Sequence, residues 1–237
     1  MNILYLLLFC VVGFGAYLLI PKRYRSSIIY TLAIGSIVNA NVFNAVAFPI
    51  QIGSFHFGIN SVVYMLFLFC VLMMYVYYGK KETVTLVVCS IGAIVFAAFI
   101  ELLSGIASVG YSSALGLKMV QYLASCLGSI AACVCIVLLY NAFRRVRMNL
   151  FLNVALSLLL ASVVESLIFY GITYPCHLVG DVNRFWWDFL ALYLGKFIGI
   201  AFSLITTLIV KYALKKDDVP YPLPEKSAKP IEPPVAE

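Results

Sequence analysis

Apolar residues in this chain run in long blocks, and the polar positions between the blocks are few and short. Seven blocks, at 3–20, 28–49, 61–79, 83–108, 115–143, 149–174 and 187–213, have the length a helix needs to cross a membrane, about 20 residues for a hydrocarbon core of about 30 Å. Backbone groups in lipid have no water to bond, so each block is expected to close its own hydrogen bonds as a helix. The alternation of apolar and polar residues that marks a transmembrane β-barrel is missing. The pattern predicts an all-α integral membrane protein, a bundle of about seven transmembrane helices. The bundle is expected to occupy residues 1–216, and a short tail residues 217–237.

The charged positions give these blocks a direction. Lys22, Arg23 and Arg25 follow the first block, and Lys80 and Lys81 follow the third. Arg144, Arg145 and Arg147 follow the fifth, and Lys211, Lys215 and Lys216 close the seventh. All these breaks fall on one side, whereas the opposite breaks carry only Lys118 and Arg184. Basic residues collect on the cytoplasmic side, so the N-terminus is expected outside and the C-terminus in the cytoplasm. Trp186 and Trp187 suit the outer interface. The first block has no basic residue before it and no clear cleavage site, which reads as a signal anchor rather than a removed leader. The expected location is a plasma membrane of the bacterial inner-membrane kind, crossed several times.

Composition narrows the function classes. The chain is 64% hydrophobic and 11% charged, where soluble domains are roughly half apolar and a quarter charged. Little is left from which to build a soluble catalytic module. The net charge of +6 is accounted for by helix ends that meet anionic lipid, so nucleic acid is not an expected partner. The tail holds Pro220, Pro222, Pro224, Pro230, Pro233 and Pro234 and little apolar surface, a composition expected to stay disordered in the cytoplasm. Of the seven cysteines, Cys176 alone lies outside an apolar block, and none has the paired spacing of a disulfide framework or metal site. They read as small apolar fillers. His56 and His177 both fall in outer breaks without metal-ligand partners. No phosphate-binding loop or nucleophile elbow appears. The chain is expected to be no enzyme and to need no cofactor or metal.

What chemistry there is lies inside the blocks. Glu101, Glu165 and Lys196 are ionisable residues within spans, where a charge is costly and usually marks a site with a partner. Glu165 stands nine residues before Tyr174, and Lys196 nine residues after Trp187. Each is thus about 13 Å below the outer surface. Consecutive helices joined by a short loop are usually neighbours, so matched depth predicts a Glu165–Lys196 ion pair. Such a pair can line a cavity or lock two helices together, and both readings stand open. Glu101 lies near the outer end of its span, where a carboxylate reaches water. Among neutral groups, Asn39, Asn41 and Asn44 gather in the outer half of the second span. Gln121, Ser125 and Ser129 form one stripe at helical spacing in the fifth, widened by Gly128. Asn153 and Ser157 share a face nearer the cytoplasm. Small and polar stripes of this kind serve helix packing, yet so many amides in the outer half also predict an outward-facing pocket for a small ligand.

Several of these residues resemble one family. Tyr77-Tyr78-Gly79-Lys80-Lys81 is similar to the aromatic-Gly-basic turn of the vitamin uptake transporter family, also called queuosine-precursor transporters. The stretch Asn153–Phe169 resembles that family's helix with an early Ser, here Ser157, and an Asp-Ser-x-x-F end, here Glu165, Ser166 and Phe169. Ser125 and Lys196 resemble the family's serine in the fifth span and its single lysine in the last. The likeness covers roughly residues 30–213. Three polar family positions are apolar here, in the regions of Val71 and Leu72, Val120, and Ile136. The resemblance implies a compact bundle for uptake of a small polar, nucleobase-like metabolite. Its expected substrate-binding residues are Glu165, Lys196, Ser157, Asn153, Ser125 and Gln121. A homo-oligomer or a separate energising module would be compatible with this reading. The alternative is a membrane sensor or assembly subunit that binds a partner and moves nothing.

Overall fold

The computed structural model describes residues 15, 17–46, 49–52, 55–109, 113–175 and 185–213. Most of the first expected span, Arg184, Lys215, Lys216 and the tail lie outside these residues. Five helices dominate: α1 (Arg25–Val46), α2 (Ile59–Val109), α3 (Ser113–Arg145), α4 (Leu150–Thr173) and α5 (Phe185–Ala213). A 3-10 turn at Lys22–Tyr24 leads into α1. Between α1 and α2 two strands, β1 (Pro49–Ile52) and β2 (Phe55–Gly58), pair antiparallel with Ile50 opposite Phe57. The chain is thus helical with one short hairpin among the described residues, a feature the apolar blocks did not predict. The hairpin closes hydrogen bonds across the α1–α2 connection, where Pro49 cannot continue a helix.

Helix α2 joins two of the expected spans. It is broken at Gly79, whose φ of 86° and ψ of −179° are not helical. This backbone region is open essentially to glycine alone. The arm before Gly79 and the arm after it differ completely in surroundings. Every residue from Ser61 to Met74 is buried, so the first arm runs through the middle of the bundle. The second arm exposes Val84, Val88, Val95, Phe96, Phe99 and Leu103. Those side chains would be costly in water and suit lipid. Around the central arm stand α1, α3 and α5, while α4 packs chiefly on α3 and also on α5.

Four helices among the described residues are long and apolar enough to cross a membrane, within Asn60–Ala107, Gly116–Arg145, Leu150–Thr173 and Leu192–Val210. Helix α1 carries Asn39, Asn41 and Asn44 and several hydroxyls among its apolar residues. The basic clusters come together at one end. Tyr30 near the start of α1 donates its hydroxyl to Glu82, just past Gly79, with both candidate acceptors on Glu82 at 3.1 Å. Tyr75 accepts from Asn141 at 2.8 Å, and Tyr140 accepts through its carbonyl from Asn153 at 3.2 Å. Arg147, with φ 58°, turns the chain from α3 into α4. Asn149 caps α4 by accepting from the Phe151 amide at 3.1 Å.

Candidate functional site

A cavity of about 280 Å3 opens at the end of the bundle opposite the basic clusters. All five helices contribute to it. Helix α1 supplies Ala40 and Asn41 from its C-terminal half, and α2 supplies Asn60, Ser61 and Tyr64 from its first turns. Helix α3 brings Gln121 and Ser125, α4 brings Glu165, Phe169 and Tyr170, and α5 brings Leu192 and Lys196. On α2 and α3 the spacing of three and four residues puts the lining groups on one helix face. The lining mixes amides, hydroxyls and the two charged groups with the rings of Tyr64, Phe169 and Tyr170.

The ion pair predicted from matched depth is present: Lys196 Nζ lies 2.7 Å from Glu165 Oε2. Lys196 also donates to the Ser162 carbonyl at 3.0 Å and to Ser166 Oγ. An ammonium has three donors, and these three acceptors occupy them. The rings of Tyr64 and Tyr193 flank the same nitrogen at 5.7 and 5.4 Å, within the range where a ring face attracts a cation. Ser166 in turn donates to the Ser162 carbonyl at 2.9 Å. The Tyr64 hydroxyl has Ser129 and Glu165 as polar neighbours, but no hydrogen-bond partner in contact geometry. The Ser61 hydroxyl is likewise buried without one.

Two glycines set how closely the helices approach. A Cβ at Gly128 would stand 3.2 Å from the Glu165 carbonyl and 3.3 Å from its Cγ. The glycine therefore lets α3 press against the turn of α4 that carries Glu165. A Cβ at Gly199 would stand 2.5 Å from Met65 Cβ and 3.1 Å from the Val62 carbonyl, so Gly199 brings α5 hard against the central arm of α2. Lys196 lies one turn away on the same helix.

Of the six residues expected to bind substrate, the cavity gathers Glu165, Lys196, Ser125 and Gln121. Asn153 and Ser157 are buried elsewhere. Asn153 bonds the Tyr140 carbonyl and accepts from Ser157 at 3.1 Å, tying the start of α4 to the end of α3. Their position nearer the basic end of the bundle takes them away from the cavity. Glu101 is also elsewhere, paired with Lys118 at 2.6 Å and accepting from Tyr122 at 2.5 Å. Asn60, Ser61, Tyr64, Tyr170 and Leu192 line the cavity without having been singled out from sequence. Ser61 and Tyr64 sit in an uninterrupted apolar block, where only knowledge of which face meets α5 distinguishes them. Among the described residues no group of three or more His, Cys, Asp and Glu side chains is placed to hold a metal ion. The Cys126 and Cys133 thiols are free and buried, and Cys70 is buried as well. Comparison with protein-family models, curated proteins and solved structures finds no match.

Proposed function

We propose that the chain is a multi-pass membrane transporter that takes up a small, planar, nucleobase-like metabolite, as its resemblance to the queuosine-precursor transporters implies. In this reading seven helices cross a plasma membrane of the bacterial inner-membrane kind, with the N-terminus outside and the basic end of the bundle in the cytoplasm. The observation that carries it is a cavity inside an apolar helical bundle with a buried ion pair in its wall. A charge pair kept within membrane helices beside a cavity is a mark of a substrate path. Secondary transporters hold their ligand at such a site and expose it to each side in turn. Phe169 and Tyr170, whose rings meet edge to face at 5.7 Å between centroids, and the Tyr64 ring give a flat ligand surfaces to stack on.

The test is accumulation of a radiolabelled queuosine-precursor base in cells that lack their own transporter for it. Expression of the chain is expected to raise uptake above the empty-vector rate, and Glu165→Gln/Lys196→Met to abolish the gain while the protein still inserts. Correctly inserted protein with no uptake of nucleobase-like compounds would favour the sensor or assembly role instead.

A further inference from the structure

Both ends of the ion pair line the cavity, but they are unequally exposed. The Glu165 side chain retains 13% of its exposure and that of Lys196 only 2%. The ammonium lies behind the carboxylate, enclosed by three acceptors and two tyrosine rings. An anionic ligand would have to pull Lys196 away from the Ser162 carbonyl and Ser166, leaving those groups buried and unpaired. It would also approach the Glu165 carboxylate, a like charge in the same wall.

The carboxylate, by contrast, has a lone-pair face to offer. Its contacts with Lys196 and Ser166 both end on Oε2, which leaves Oε1 as an open acceptor. Asn41 adds a second. One of its two amide N–H groups donates to the Ile37 carbonyl at 2.8 Å, which leaves its Oδ1 as an acceptor beside a second N–H. We infer that this cavity selects flat ligands that bring N–H donors to Glu165 Oε1 and carry no negative charge. Lys196 is then a positioning residue that fixes the carboxylate and neutralises it from behind, and it does not touch the ligand. This deepens the proposed uptake role by defining what the site can hold.

Benzamidine and benzoate test it directly. They share one flat shape and have opposite hydrogen-bonding polarity. The full chain, purified into lipid nanodiscs, is titrated with each radiolabelled compound. Saturable benzamidine binding is expected at a dissociation constant at least ten times lower than that of benzoate. Equal binding, a preference for benzoate or no saturable benzamidine binding would overturn the inference. Glu165→Gln is expected to weaken benzamidine at least tenfold, and an unchanged constant would also overturn it. Where that variant does not fold, because Lys196 has lost its partner, Glu165→Gln/Lys196→Met carries the same expectation. The binding assay needs no flux. Benzamidine selectivity without any uptake would count against transport alone, and uptake without that selectivity against this inference alone.

Discussion

Lys196 shows how a full charge is kept in the middle of an apolar bundle. A lone buried ion is far too costly, so the ammonium is stabilised by a carboxylate, a carbonyl, a hydroxyl and two ring faces at once. Removing one member of a buried pair typically costs about 3–5 kcal/mol, because the other is left uncompensated, whereas replacing both by apolar groups is milder. Glu165→Gln and Lys196→Met are each expected to lower the melting temperature in detergent, and the double variant to recover most of the loss. Additive losses in that double-mutant cycle would mean the two residues do not interact. Gly199 offers a second test at this scale. Gly199→Ala forces a methyl group to within 2.5 Å of Met65 Cβ and is expected to destabilise by about 1–3 kcal/mol, the usual cost of overpacking. Gly92→Ala meets no atom within 4 Å and should stabilise by up to about 1 kcal/mol through helix propensity. A thermal-melt comparison of the two variants checks both. The pair itself was legible in the sequence, because depth along two adjoining helices follows from counting residues. The ring faces and the Ser162 carbonyl were not, because they depend on how each helix is rotated about its axis.

At the scale of elements, Gly79 decides the path of the longest helix. Its backbone lies where only glycine is at ease, so Gly79→Ala is expected to cost about 1–3 kcal/mol, measured as a lowered denaturation midpoint. The aromatic-Gly-basic run marked this break in the sequence. The two arms on either side of it, however, read alike as apolar blocks. That one arm is enclosed on all sides while the other faces outward follows only from the packing of α1, α3 and α5 around the first. Asn153 and Ser157 teach the converse. Their spacing places them on one helix face, as expected, but that face meets the end of α3, so their polarity joins two helices instead of lining the cavity.

For the molecule as a whole, the structure separates two ends. Basic residues, the Tyr30–Glu82 bond and the Asn153–Tyr140 bond lie at one, and the cavity lies at the other. In the proposed orientation the basic end is cytoplasmic. A reporter active only in the cytoplasm is therefore expected to give signal when fused at residue 237. Silence there, with activity at an N-terminal fusion, would reverse the topology. Truncation after Lys216 is expected to leave insertion and benzamidine binding intact, since the Pro-rich tail has little to bury. Loss of folded protein on truncation would show that the tail packs on the bundle.

Hydrophobic run length by itself determined that this is a helical chain with segments long and apolar enough to cross a membrane, and where the described helices lie to within a few residues. Those properties follow from the local cost of unpaired backbone in lipid and need no knowledge of neighbours. Counting along adjacent helices also reached the Glu165–Lys196 pair. Only the tertiary structure decided that Asn41, Ser61, Tyr64 and Tyr170 share a cavity with that pair and that Asn153 and Ser157 do not. It also decided that the carboxylate, rather than the ammonium, is the end more exposed. The physical reason is rotation: a helix has the same length and apolarity however it is turned, but which side chain meets a cavity is set by the close approach of its neighbours at Gly128 and Gly199.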